Sequence, residues 1–418
     1  MGRLLFLTHR MPYPPDKGDR IRAWHMLEHL ARHWEVELGC LSDDPEDARH
    51  LPLLRERYAA MRCESLPGGL RAAARTLWRA RPGLPLTLGW FHSARLQAWV
   101  SAGLEARRYD AVFVYSSAMA PYVMRHAAAG LPPSILDLVD VDSEKWRAYA
   151  AQARPPRRLL WAREARTLLA FERRAAQAFS RTILVSQAEC ERFLALAPEA
   201  RARAQWVDNG VDLGFFDPAR PYPNPYPPNP DSPGPPPLVF TGTMDYPPNI
   251  EAVTDFARDV LPRLRATPGR EGPPEFHIVG ARPTDGVRAL AKLPGVHVTG
   301  RVPDTRPYIA HAAAAVAPLR VARGIQNKVL EAMALGRPVI ASSAAFEGVQ
   351  AVAGRDLLVV DGAEATARAV GAVLRGEYPG LGQAARLAVA HGHDWDFTLR
   401  RLDRLLGPRA DAPALAQP

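Results

Sequence analysis

Cysteine is scarce in this chain: 418 residues hold only Cys40, Cys63 and Cys190. They are scattered, and no C-x-x-C pair exists, so neither a disulfide framework nor a cysteine-ligated zinc site is expected. Reduced thiols in a cytoplasmic protein are the expectation. Long apolar runs are missing too. Residues 312–319 form the longest one past the N-terminus, far short of the roughly 20 residues that cross a bilayer. Residues 4–8 are apolar, but His9 and Arg10 end the run and no small-residue cleavage site follows. This is the pattern of a first core strand, not of a signal peptide. A basic tail is absent as well, because the net charge of +9 is spread over arginine-rich helical segments. Membrane surfaces and anionic substrates are compatible with that charge. Nucleic acid is not an expected partner, since no RNA- or DNA-binding motif accompanies it.

What is present points to a folded, two-part molecule. A composition 47% hydrophobic and 23% charged is that of a soluble globular protein, and the length exceeds what one core usually serves. Residues 218–237 read P-A-R-P-Y-P-N-P-Y-P-P-N-P-D-S-P-G-P-P-P, in which 11 of 20 are proline. That much proline excludes helix and sheet interior and favours a semi-rigid connector. The expected division is a first domain over 1–216, a linker over 217–237, a second domain over 238–390, and a terminal helix with its tail over 391–418. Short β-rich runs alternate with helical patterns on both sides of the linker. In the first half they cover 4–8, 36–41, 111–115, 135–141, 182–186 and 205–207. In the second they cover 238–241, 276–279, 296–299, 314–319, 339–342 and 357–360. Strands this apolar, separated by helices, imply parallel sheets covered on both faces. The fold class is α/β, with two Rossmann-like domains expected to face each other across a cleft.

Ligands of such sheets bind beyond the carboxyl ends of the strands. In the second half those ends carry Gly242-Thr243-Met244-Asp245, Gly280-Ala281-Arg282, Gly300-Arg301 and Pro318-Leu319-Arg320. After them comes R-G-I-Q-N-K-V-L-E-A-M-A-L-G-R-P-V-I-A, residues 323–341. Gly324 permits a close turn, Gln326 and Asn327 supply cap groups, and the free N–H groups of the first helical turn form an anion site. Lys328 adds a point charge suited to phosphate. Glu331 lies one turn deeper on the same face, where a carboxylate accepts hydrogen bonds from two vicinal hydroxyls. Together these describe a nucleotide diphosphate, and the competing reading is an ordinary surface Lys/Glu pair at i, i+3. The apolar remainder of the helix and its abrupt Gly-x-Pro exit favour a buried site.

The stretch from Gly324 to Ala341 resembles the donor-site signature of the retaining family-4 glycosyltransferases of the GT-B fold. The likeness extends to Pro14-Pro15-Asp16-Lys17-Gly18-Asp19-Arg20, to Asn209-Gly210-Val211-Asp212 and to Phe240-Thr241-Gly242-Thr243-Met244-Asp245. In T-H-R-M-P-Y-P-P-D-K-G-D-R-I-R, D-L-V-D-V-D-S-E-K-W and G-I-Q-N-K-V-L-E-A-M-A the chain resembles the subgroup associated with exosortase/PEP-CTERM exopolysaccharide systems. This resemblance implies a nucleotide-diphosphate sugar as donor and a saccharide or lipid-linked acceptor, with no cofactor and no metal. Glu331 takes the place of the family's ribose-binding glutamate. Its other glutamate, usually against the sugar, is replaced by Arg323, which suits an anionic sugar, a diphosphate contact or a solvent-facing position. The family's diphosphate arginine is missing after Gly242-Thr243-Met244, which makes Arg320 the candidate substitute and Lys328 the retained lysine. Gly18, in the loop 16–20, is expected near donor phosphates and acceptor, with Asp19 and Arg20 less firmly placed.

At the end of the fourth apolar run of the first half, D-L-V-D-V-D-S-E-K-W places three acids together. Asp140-x-Asp142 matches a metal-binding D-x-D only as a three-residue coincidence. The family instead places a His or acid here beside the transferred sugar, which makes Asp140 and Asp142 the candidates, with helix capping by Asp142 or Ser143 as the structural alternative. In a retaining transfer without an enzyme nucleophile, the departing diphosphate takes the acceptor proton, and Lys328, Arg320 and the helix end stabilise the leaving charge. Residues 70–81 and 154–179 mix arginine with large apolar groups, the composition of a helix on anionic lipid or of a core helix with a solvated arginine face. Peripheral contact with the inner face of the cell membrane is the corresponding expectation. Asp394 is placed to cap a helix reaching Leu406, with Trp395, Leu399, Leu402 and Leu406 on one face. Two other functions remain open at this point, epimerisation of a nucleotide sugar and non-catalytic nucleotide-sugar binding.

Overall fold

A computed structural model of the chain describes residues 1–15, 18–68, 76, 83–226, 237–266, 272–322 and 324–406. Two compact units emerge, one of Met1–Asp208 joined by the chain from Leu399 onward, the other of Asn209–Thr398.

The first unit is built on seven parallel strands: β1 Arg3–Thr8, β2 Glu35–Ser42, β3 Ala60–Ser65, β4 Ala111–Tyr115, β5 Ser134–Val139, β6 Arg181–Leu184 and β7 Ala204–Trp206. Their spatial order is β3-β2-β1-β4-β5-β6-β7. Leu4, Leu5, Phe6 and Leu7 of β1 and Val112, Phe113 and Val114 of β4 are wholly buried, so both faces of the central strands are covered. Each such side chain contributes about 1.5–3 kcal/mol of burial free energy. The sequence pattern misses β3. Its stretch Ala-Met-Arg-Cys-Glu-Ser lies at the sheet edge and is only half-buried, so it has no apolar run. Arg22, from the helix Gly18–Ala31, reaches into this sheet. Its Nε donates to Asp137 Oδ2 at 2.8 Å and its Nη1 to Val207 O at 2.8 Å, tying the helix to the ends of β5 and β7.

The second unit has six parallel strands: β8 Pro237–Thr241, β9 Glu275–Val279, β10 Val296–Gly300, β11 Ala314–Ala317, β12 Val339–Ala341 and β13 Leu358–Val359. They run in the order β10-β9-β8-β11-β12-β13. The boundary falls at 208/209 rather than at the expected 216, because residues after it dock on the second unit. Val211 donates to His393 O at 2.7 Å, and a Cβ on Gly210 would lie 2.8 Å from the Trp395 backbone nitrogen. His393 is buried between two backbone groups, receiving Gln350 N–H on Nε2 at 2.8 Å and facing Asn209 O from Nδ1 at 3.0 Å. That pairing defines a neutral imidazole with its proton on Nδ1. The helix Trp395–Leu406 buries Trp395, Leu399, Leu402 and Leu406, and Asp403 near its end receives His29 Nε2 at 2.9 Å within the first unit. Much of the proline-rich connector and the tail from 407 lie outside the described residues. Among those residues, no helix is long and apolar enough to cross a membrane.

Candidate functional site

Both sheets reverse their strand order at one point, between β1 and β4 in the first unit and between β8 and β11 in the second. At such a point the loops leave in opposite directions and open a ligand crevice beyond the strand carboxyl ends. Chemistry-bearing residues gather at both.

In the second unit, β8 ends at Thr241 and turns through Gly242, whose φ is 154°. Gly280, at the end of β9, has φ 153°, and a Cβ there would lie 1.7 Å from Gly242 O. Only two glycines allow the backbones to pass so closely. The helix Asn327–Ala334 starts at this rim after Gly324, whose φ is 63°. Gln326, the N-cap residue, makes no side-chain cap hydrogen bond to it; Gln326 Nε2 donates to Gly324 O at 3.1 Å, and Asn327 Oδ1 accepts from Asn209 Nδ2 at 3.4 Å. The first N–H groups of a helix have no intrahelical partner and suit water or an anion.

Lys328 follows at once. Its Nζ donates to Asn249 Oδ1 at 2.7 Å and sits 4.5 Å above the Phe240 ring, while Asn249 is itself oriented by donating Nδ2 to Thr243 O at 2.9 Å. Burial pushes the Lys328 ammonium down to about 8, with Glu331 pulling the other way. Burial likewise pushes the Glu331 carboxyl up to about 7, against the pull of Lys328. The Glu331 carboxyl has no hydrogen-bond partner among the described residues. This half-buried pair therefore offers a cation held only by neutral groups and a carboxyl left to accept from a ligand. Arg320 is mostly exposed, and its guanidinium faces Asp255 at 2.7 Å and Glu251 at 3.7 Å. Arg323 lies outside the described residues.

In the first unit, His9 follows β1 and stacks on Tyr115 at the end of β4, with ring centroids 5.9 Å apart. Its Nε2 is 3.8 Å from Asp19 Oδ2, and its Nδ1 is buried without a hydrogen-bond partner among the described residues. Burial outweighs Asp19 and pushes the imidazole down to about 4, so it is neutral near pH 7. Asp140, just past β5, has a buried Oδ1 that also lacks a partner among the described residues. Burial, then Glu189 and Asp142, push its carboxyl up to about 7. His9 follows β1 and Asp140 follows β5, and β4 alone separates those strands in the sheet. The backbone is unusual here: Val139 has φ 67° and Ser116 has φ 78°, conformations that cost a non-glycine residue on the order of 1–3 kcal/mol.

Asp142 opens the helix Asp142–Gln152, which neither it nor Ser143 caps from the N-cap position. The carboxylate of Glu172 does that work, accepting from Ser143 N at 3.2 Å and Ser143 Oγ at 2.6 Å. Gly18 is the first residue of its helix and exposed; Asp16 and Lys17 lie outside the described residues. Asp19 pairs with Arg10 at 2.7 Å, and Arg20 is buried against Asp47 at 2.9 Å. Sequence reading missed His9 and Asn249. His9 carried a usable signal, standing directly after an apolar strand, whereas nothing in P-P-N-I marks Asn249.

Of the arginine-rich segments, most of 70–81 lies outside the described residues. The helix Arg157–Ala178 packs Ala165, Leu168, Phe171, Ala175 and Ala176 into the core, yet its start leaves Leu159 and Leu160 exposed beside Arg157 and Arg158.

Residues 235–376 match the family model described as Glycosyl transferases group 1. No curated protein matches the chain. Solved structures similar to it include sucrose-phosphate synthase (tll1590) from Thermosynechococcus elongatus, at 17% identity and TM-score 0.68, covering 97% of this chain and 98% of that one. Anabaena Alr3699/HepE in complex with UDP and glucose is similar at 14% identity and TM-score 0.69, over 97% and 99% of the two chains. WaaG, a glycosyltransferase involved in lipopolysaccharide biosynthesis, is similar at 16% identity and TM-score 0.61, over 97% and 100%. The fold of this chain is therefore GT-B, with two parallel-sheet α/β units.

Proposed function

We propose that this chain is a glycosyltransferase drawing on a nucleotide-diphosphate sugar. One observation carries the reading: the start of the helix Asn327–Ala334 places Lys328, held by Asn249 above Phe240, one turn before the half-buried Glu331. The helix end and Lys328 take the diphosphate, and Glu331 takes the ribose hydroxyls. The family match over 235–376 supports this assignment, as does UDP bound in a similar structure.

Transfer proceeds with retention and without a metal. The departing diphosphate accepts the acceptor proton, while Lys328 and the helix dipole stabilise its growing charge. Asp140 and Asp142 lie on the acceptor side. The Asp140 carboxyl, pushed up to about 7, is suited to exchange hydrogen bonds with a sugar hydroxyl in either protonation state. The acceptor is a saccharide or a lipid-linked saccharide of exopolysaccharide assembly. Its membrane setting is supported by Leu159 and Leu160, exposed among arginines at the start of Arg157–Ala178.

Incubation of the purified chain with a panel of radiolabelled nucleotide sugars and lipid extract tests the reading. Label appearing in lipid or saccharide is the expected result. Interconversion of the donor without transfer would establish epimerisation, and binding without turnover would establish a non-catalytic nucleotide-sugar binder.

A further inference from the structure

We propose that Glu275, His277 and His297 form a binding site for a divalent transition metal of the zinc class, at the opposite end of the second sheet from Lys328. Glu275 and His277 are two apart on β9, so strand alternation sends both side chains to one face. His297 on β10 pairs in register with His277 and adds its imidazole to the same face. One ligand atom from each of the three lies within 4.8 Å of the others. His297 Nε2 is 3.1 Å from Glu275 Oε2, and His277 Nε2 is 3.7 Å from it. Two ligands bonded to zinc at about 2.0–2.1 Å and subtending a tetrahedral angle are roughly 3.3–3.4 Å apart, a spacing these two distances bracket.

The second observation is the state of His277. Its side chain is buried to 6% exposure, and its Nε2 has no hydrogen-bond partner among the described residues. A Glu275–His297 ion pair satisfies His297 but leaves that nitrogen stranded, an expense that a shared metal removes. Burial around His277 is deliberate: Tyr226 packs edge-on over the ring at 4.6 Å and is fixed by donating to Tyr308 O at 2.6 Å. On the other side, the His297 ring stacks on His277 at 4.5 Å with the planes 9° apart, so sharing an ion requires His297 to turn out of the stack, which its exposure allows and which also gives a cation a way in. Two imidazoles and one carboxylate suit zinc or a neighbouring transition metal rather than calcium or magnesium, which favour oxygen ligands. Three protein ligands leave a fourth position for water. Such a metal would clip the edge strand β10 to β9, independently of any reading of the nucleotide site.

The test is titration of the chelator-stripped full-length protein with Zn²⁺ alone by calorimetry, with Co²⁺ visible absorption reporting ligand geometry. One saturable equivalent and a tetrahedral Co²⁺ spectrum are expected. His297→Ala, which removes an exposed side chain, and Glu275→Gln, which keeps the shape, each lose that equivalent while the metal-free melting temperature stays within a few degrees. Absence of a saturable equivalent in the parent protein, or its persistence undiminished in both variants, would overturn the proposal.

Discussion

Replacing Lys328 by Met is the sharpest test of the donor site. In the free protein the ammonium is held by Asn249 and disfavoured by burial, which pushes it down to about 8 from 10.5. A diphosphate restores a compensating negative charge and moves the ammonium back up. The binding-competent form is protonated, so the lysine's contribution to nucleoside-diphosphate affinity is full below about pH 8 and is lost as pH rises through it, whereas that of Glu331 is lost as pH falls through about 7. Lys328→Met removes a charge-assisted hydrogen bond of about 1.5–3 kcal/mol, equivalent to a roughly 10- to 150-fold weaker Kd at pH 7. The variant has a second, coupled effect. Glu331, already pushed up to about 7, loses the cation that lowers it, so less of it is ionised to accept the ribose hydroxyls. Calorimetric titration with UDP, GDP, ADP and CDP at pH 7 and pH 9 reads both consequences. The ratio of parent to variant affinity should shrink at pH 9, because the parent has lost its ammonium there. A change below threefold at pH 7, or a variant that still weakens between pH 7 and pH 9, would refute the reasoning.

Three further substitutions test the rest of the geometry. Asp140→Asn should lower transfer by roughly 10- to 150-fold, the worth of a hydrogen bond to a charged group, with donor affinity unchanged, as initial rates and calorimetry would show. Because the folded Asp140 carboxyl is raised from 3.8 to about 7, the parent loses stability as pH climbs through that window, and melts at pH 5 and pH 8 should differ less in the variant. Gly280→Ala drives a Cβ into Gly242 O and should destabilise the second unit by roughly 3 kcal/mol or more, visible as a lowered urea midpoint. Arg22→Ala strands the buried Asp137 and should lose about 3–5 kcal/mol, much of it recovered when Asp137→Leu is added.

The second sheet was legible in the sequence because its strands are short β-rich runs, most of them closed by glycine, proline or a charge. In the first, β3 was not, since an edge strand that buries only parts of Met61 and Cys63 has no reason to be apolar. The donor-side signature was equally readable, as the helix start, Lys328 and Glu331 are contiguous and their chemistry depends on helical spacing alone. What holds Lys328 in place was not. Asn249 stands 79 residues away and meets the lysine only after β8 and the helix Pro247–Asp255 have packed. The cap of Asp142–Gln152 was not legible for the same reason: Glu172, 29 residues on from Ser143, supplies the oxygens that Ser143 N–H and Oγ–H meet.

The two crevices differ in a way that explains this asymmetry. In the second unit the charged groups ride on one short helix, and flanking glycines let the backbone approach a ligand without strain. In the first, His9, Ser116 and Asp140 come from the ends of three different strands, and the chain reaches them through Val139 at φ 67° and Ser116 at φ 78°. Such a conformation survives only where surrounding contacts over-determine it. Those contacts are present: Val139 N–H donates to Asp137 Oδ1 at 2.9 Å, Val139 O accepts from Val185 N–H at 2.8 Å, and Ser116 N–H donates to Asp137 O at 2.8 Å. Asp137 is in turn locked by Arg22. One buried ion pair thus fixes the strained turn that presents Asp140, which is why loss of Arg22 should damage transfer even in variants whose stability is restored.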